Sequence, residues 1–269
     1  MLTAYLDALR ECFSRRVGLV LLGVAALAAT LFCLVVKVRA LPGGGTTVSL
    51  GTLPIAPSAF AVPSVLVSVV DASGVLWILL AIFAAAPVLV SILEKGWLEL
   101  LFSKSTPRWR ILLGRAGGCV TLYAMTFGIA TGPLAFKLWL RTGVATWPMG
   151  VALLLESLSF AALLGITSLA TLIQKGVALP IVSTVAIWFL SPLLSYRQEW
   201  YYPLVRSGVG RLIVDWAYRL LPKVSELQTL SDDFVRNRMV RSWWPIWSTA
   251  LFAVALFALT IVLLERKSL

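Results

Sequence analysis

The sequence predicts an all-α membrane protein with six transmembrane helices, and two observations carry that prediction. Of its 269 residues, 59% are hydrophobic and only 13% charged, whereas a soluble domain carries about 25% charged residues. Apolar runs of about 20 residues, the length that crosses a bilayer, recur along the chain. So much apolar surface has no single water-soluble core to fill.

The first element is not a signal peptide, which would put its charges before a short apolar core and a small-residue cleavage site. In MLTAYLDALRECF, Leu2, Tyr5, Leu6, Leu9 and Phe13 fall at helical spacing on one face, with Asp7, Arg10, Glu11 and Ser14 on the other. That pattern predicts an interfacial amphipathic helix over 1–14, and Arg15-Arg16 marks the turn into the membrane. The six spans are predicted at 17–36, 73–93, 116–136, 149–173, 177–194 and 246–264. Pro87, Pro180 and Pro192 fall within or near them, which membrane helices tolerate when neighbours satisfy the freed carbonyls.

The connecting segments differ in kind. Ala40 to Val70 is uncharged and holds Gly43-Gly44-Gly45 with Pro42, Pro54, Pro57 and Pro63, so an extended, turn-rich connector is expected there. The last loop, 195–244, contains GRLIVDWAYRLLP. There Leu212, Ile213, Trp216 and Leu220 share one face, and Arg211, Asp215 and Arg219 share another at mutually supportive spacing. A second amphipathic helix is expected there, preceded by an aromatic belt of Tyr196, Trp200, Tyr201 and Tyr202.

Loop charges orient the bundle. With the N-terminus inside, the inner segments carry Arg10, Arg15 and Arg16, then Lys95, Lys104, Arg108, Arg110 and Arg115, then Lys175, then Arg266 and Lys267. The first two outer loops carry only Lys37, Arg39, Lys137 and Arg141. Cytoplasmic termini are therefore expected. The basic loop 195–244 argues the other way, although five acids dilute it and long loops weigh less in topology. A re-entrant fifth segment, bracketed by Pro180 and Pro192, is the alternative that would bring it inside.

With no histidine in the chain, haem or zinc held by histidine and a Ser-His-Asp triad are excluded. Cys12, Cys33 and Cys119 make no CxxC pair and read as small apolar residues rather than a disulfide framework or metal site. The net charge of +11 fits loops apposed to anionic headgroups better than nucleic acid. There is no GxxxxGK[ST]: Gly43-Gly44-Gly45 lacks the following lysine, and GVGRLI at 208–213 lacks a third glycine.

The most informative stretch is 94–118, EKGWLELLFSKSTPRWRILLGRAGG. Leu98, Leu101 and Phe102 form an apolar stripe opposite Glu94, Lys95, Glu99 and Ser103. Ser105-Thr106 supplies a cap and Pro107 an N1 proline for a helix that carries Arg108 and Arg110 into the third span. A short charged helix lying along the inner face, continuous with two spans, is what an external motor needs to push on.

The pattern acidic–basic–Gly–x–Leu–Glu–Leu–Leu–x–Ser–Lys, then a proline, an arginine pair and Leu-Leu-Gly-Arg, resembles the coupling region of ABC type-2 transporter permeases. The branch it looks most like is that associated with multicopper-enzyme maturation. The layout of N-terminal interfacial helix, six spans and elaborated last outer loop is similar throughout the chain. Trp97 stands where that family usually has a small threonine, and Ser105-Thr106-Pro107 shifts its proline, so the grip on a partner should differ. The resemblance implies the ABC type-2 exporter fold and a permease that is not itself an enzyme. It also implies a location in a bacterial inner membrane, with a second permease copy (homodimer or heterodimer) and two ABC ATPase subunits that bind the ATP and magnesium. On it, Glu94, Lys95, Gly96, Glu99, Arg108 and Arg110 are the residues expected at the ATPase contact.

Glu156 is the one acid deep in a predicted span and should face the bundle interior or a wet cavity, on the translocation path or the dimer seam. Ser157, Ser159, and Lys137 or Arg141 are its expected companions. Gly114 and Gly118, then Gly128 and Gly132, give the spacing for close helix packing. Other readings are an assembly or anchoring scaffold, an integral enzyme resting on Glu156, Asp215, Asp232 and Asp233, and a secondary transporter, which should show repeats. The lipid bilayer and a periplasmic protein complete the candidate partners.

Overall fold

A computed structural model of the chain describes residues 2–14, 16–40, 46–50, 53–91, 107–174, 176–204, 208–240 and 242–266. Six of its helices are long and apolar enough to cross a membrane. In chain order the elements are α1 (Leu2–Ser14), α2 (Val17–Val35), β1 (Val36–Ala40), β2 (Thr46–Leu50), β3 (Leu53–Pro57), α3 (Ser58–Val90), α4 (Arg108–Thr142), α5 (Pro148–Ile173), α6 (Ala178–Ser195), α7 (Arg197–Leu204), α8 (Gly208–Leu220), α9 (Val224–Val235) and α10 (Trp244–Arg266). With six crossings, both chain ends share one face, the terminal face. The strands and α7–α9 lie on the opposite face.

Local sequence explains where these elements begin and end. Arg16, left-handed at φ 60°, breaks the chain between α1 and α2. Pro107 is extended and caps α4 rather than opening it, so the helix starts one residue later than an N1 proline would place it. At the other end Gly143 takes φ 68° and bonds back to Trp139 O, the usual glycine stop. Between them α4 runs 35 residues, about 52 Å, which exceeds the ~30 Å hydrocarbon layer and projects both ends into the headgroups.

Two expectations are corrected. The described residues of the stretch read as a connector from Ala40 to Val70 are strand and then helix. β1–β2–β3 form an antiparallel sheet with Val38 opposite Val48, and Val36 and Val48 are buried. The helix predicted from 73 begins at Ser58 and passes through Pro63; Val62, Val65, Leu66, Val69 and Val70 bury along it. Absence of charge there marks packing, not a loose loop. The fifth crossing is one continuous 18-residue helix through Pro192, about 27 Å long, not a re-entrant pair.

α4 and α5 form the centre of the bundle. α4 packs on α1, α2, α3 and α5, while α5 packs on α3, α6, α9 and α10. Phe127, Leu134, Phe160, Leu163 and Leu164 are fully buried along them, and the rings of Tyr123 and Phe160 stack 4.6 Å apart. The outer helices α2, α6 and α10 leave apolar faces bare, with Leu34, Leu193 and Leu251 among the most exposed, as lipid contact requires.

Candidate functional site

Charged and polar side chains enter the bundle interior at both ends. On the terminal face Arg115, 1% exposed, lies between three helices. Its Nη1 donates to Val88 O at 2.8 Å and to Ser91 Oγ at 2.5 Å. Its Nη2 lies 3.3 Å from Glu11 Oε2, and Ser91 Oγ donates to Glu11 Oε1 at 3.0 Å. One guanidinium thus joins α1, the end of α3 and the start of α4.

The packing around it is equally close. Ala8 is fully buried, Tyr5 donates to Thr121 Oγ1 at 3.0 Å, and a Cβ on Gly118 would stand 2.9 Å from Ala8 Cβ. The face of α1 that packs is therefore the one through Tyr5, Ala8 and Glu11. Tyr5 and Leu9 of the expected apolar stripe pack there, whereas Leu6 is exposed. The 3.6-residue pattern favoured the larger apolar side chains, but the small Ala8 is what lets α1 approach a glycine.

Of the expected coupling residues, Glu94, Lys95, Gly96 and Glu99 lie outside the described residues. Arg108 is the first residue of α4, and Arg110, one turn before Arg115 joins the pair, is exposed. From sequence, Arg115 is one of the inner charges and the last residue of the Leu-Leu-Gly-Arg pattern, with nothing to mark it as buried.

At the opposite end, Glu156 is 3% exposed and enclosed by the chain's own helices. Tyr123 Oη lies 3.4 Å from its Oε2, and a Cβ on Gly74 would sit 3.5 Å from Oε1 and 3.6 Å from Gln228 Nε2. Gln228 in turn donates to Asp71 Oδ1 at 3.4 Å. Two of the companions expected from sequence bond elsewhere: Ser157 bonds its own helix at Leu153 O, and Lys137 bonds Cys33 O and Val36 O. Acids gather there instead. Asp71 and Asp232 stand beside one another, and burial together with that neighbouring carboxylate pushes the Asp232 carboxyl up to about 7. Asp71 lies about 28 Å along α3 from Val90 and Glu156 about 26 Å along α5 from Ile173, which sets the cluster at the edge of the hydrocarbon. Among the described residues no three acids or cysteines are placed to hold a metal ion.

The helix that brings Asp232 and Gln228 there, α9, escaped the sequence reading. Val224, Leu227, Leu230 and Val235 bury as α9 inserts against α5, α6 and α3. Its signal was a 3–4 spacing after Pro222, masked by Asp232-Asp233.

α8 forms where expected, with Val209, Leu212, Ile213 and Trp216 bare. Its Asp215, however, does not pair along the helix. It binds Arg197 Nε at 3.0 Å and accepts from Tyr202 Oη at 2.6 Å, and these two partners hold its carboxyl below the usual range. A cavity of about 630 Å³ opens beside it. There the Lys223 ammonium lies 4.4 Å and 4.9 Å from the Tyr218 and Trp244 rings, and burial pushes its pKa down. Burial and the acceptor Glu226 push the Tyr218 phenol up to about 12.

In comparisons with known proteins, the chain matches no family model and no curated protein at a significant level.

Proposed function

We propose that this chain is the membrane-spanning permease subunit of an ATP-binding cassette exporter, working as a dimer with two separate ATPase subunits docked on the segment 94–115. The observation that carries the reading is the joint at Arg115. Residues 92–106 connect α3 to α4, and the Glu11–Ser91–Arg115 contacts tie the two ends of that connection to α1. A force applied there moves three helices together, because parting a buried ion pair costs about 3–5 kcal/mol. Transmission of a stroke from an outside motor needs that rigidity, and a chain without a phosphate-binding loop needs the motor.

The second copy has an edge to meet. Gly128 and Gly132 on α4 have nothing within 4 Å of where a Cβ would stand, and Met125 and Ile129 beside them are exposed. ATP closure of the motors would then move α3 and α4 and open a route between protomers.

Mild-detergent purification of the tagged chain, with mass spectrometry of what stays bound, tests this. An ATPase in roughly equal amount, lost on Glu94→Lys or Glu99→Lys while the chain stays inserted, is the expected result. Recovery without any ATPase overturns the reading in favour of an anchoring scaffold.

A further inference from the structure

All the basic residues between the first and fourth crossings on the opposite face are Lys37, Arg39, Lys137 and Arg141, and the fold brings all of them to one place. Lys37 and Arg39 stand two apart on β1, so they share a face of the strand. Lys137 and Arg141 are one turn apart on α4 and share a face of the helix. The two pairs line a single cleft of about 350 Å³, whose remaining lining residue is Val38. No carboxylate enters it, and among the described residues the four take part in no ion pair.

One of these charges is used by the fold. Lys137 Nζ donates to Cys33 O at 2.5 Å and Val36 O at 2.7 Å, where the last turn of α2 leaves carbonyls without helical partners and its dipole favours a cation. That bond pins the start of β1 against α4. Lys37, Arg39 and Arg141 are exposed, and no carboxylate among the described residues pairs with them. Their mutual repulsion opposes folding unless an anion is bound, which distinguishes this cleft from the cavity beside Asp215, where an acid pairs Arg197.

Position identifies the anion. The cleft sits where α2 and α4 leave the hydrocarbon, at headgroup level. On the bilayer side of β1, Leu31 and Leu34 in the last turns of α2 are 51% and 70% exposed, an apolar surface that a water-soluble anion would not need. Arginines that snorkel singly satisfy scattered headgroups, whereas four cations around one volume favour a single phosphate. We propose that this cleft binds the headgroup phosphate of an anionic glycerophospholipid, with its acyl chains along Leu31 and Leu34. The two guanidiniums offer paired donors to phosphate oxygens, and the two ammoniums add charge.

Native mass spectrometry of the full chain, titrated with phosphatidylglycerol and with phosphatidylcholine, tests the proposal. One phosphatidylglycerol per chain is expected, bound in preference to phosphatidylcholine. Arg39→Gln with Arg141→Gln, both at exposed positions, should weaken it by about fivefold for each charge removed. Arg238→Gln, which removes a cation elsewhere on the same face, should leave it unchanged, and Lys137→Arg should retain it. Equal binding of the two lipids, or equal binding by the double variant and the parent, overturns the site. Displacement of phosphatidylglycerol by millimolar glycerol phosphate would assign the cleft to a soluble phosphate and overturn the lipid.

Discussion

The two ends of the bundle bury charge in opposite ways. At the terminal face a cation and an anion meet, and Arg115 reaches two distant stretches of chain, Glu11 on α1 and Val88 with Ser91 at the end of α3. At the opposite face Asp71, Glu156 and Asp232 gather. Near them on the same helices, Ser73 Oγ, Trp77 Nε1 and Ser231 Oγ are buried without a hydrogen-bond partner. Opposite charges in low dielectric lock a geometry, because removing either strands the other. Like charges with incomplete hydrogen bonding make a geometry conditional on proton occupancy. The terminal joint is therefore a fixed one, and the docking of α9 is the part that conditions can shift.

Arg115→Met is the largest test of that contrast. It leaves Glu11 facing the bundle without its cation, so a loss of about 3–5 kcal/mol is expected, seen as a large fall in the thermal unfolding midpoint in detergent. Adding Glu11→Gln should restore most of it, since a neutral pair of similar volume costs little. A single variant as stable as the parent would mean the joint holds nothing.

Gly118 sharpens the same end through packing rather than charge. A valine there puts its Cβ 2.9 Å from Ala8 Cβ and 3.3 Å from the Tyr5 carbonyl, so α1 must shift at a cost of about 1–3 kcal/mol. Hydrogen exchange over 2–14 should rise. Gly23→Ala on the exposed side of α2, with open space at its Cβ, should change nothing or stabilise α2 by less than about 1 kcal/mol. If both variants leave α1 equally protected, close approach at Gly118 is not what docks it.

These two ends were unequally legible. The crossings could be read because an apolar run of span length has one meaning in a chain this poor in charge, and Pro107 marked the start of α4 to within a residue, although the helix runs on past the predicted 136 to Thr142. Arg115 could not be read as a buried partner. Its acid lies at the other end of the inner segments, as the 80-residue separation of Ser91 from Glu11 indicates, and local pattern carries no signal for such a contact. The acids of α9 misled in the opposite sense. Asp232-Asp233 reads as a solvated loop, yet Leu227 and Leu230 bury on the same helix and carry Asp232 inward with them. The expected cation beside Glu156 failed for a related reason, since Lys137 finds the open carbonyls of α2 first.

Asp232→Asn probes the conditional end and carries the smallest expected effect. With its carboxyl at about 7 in the folded chain against about 3.9 unfolded, the docked state holds a proton that the undocked state releases. Below about pH 4 both states are protonated and the difference vanishes. As pH rises through that range, ionisation favours undocking, and the loss is complete once pH exceeds about 7. α9 should thus dock more firmly at pH 5 than at pH 8. Arg236 draws the carboxyl the other way, while Asp71 and Asp233 oppose ionisation, and partial solvent screening leaves a net effect on the order of 1 kcal/mol. The asparagine variant should be more stable than the parent at pH 8, equal to it at pH 4, and flatter in its unfolding midpoint between them. An unchanged slope would mean that the proton sits elsewhere in the cluster and that α9 docks independently of Asp232.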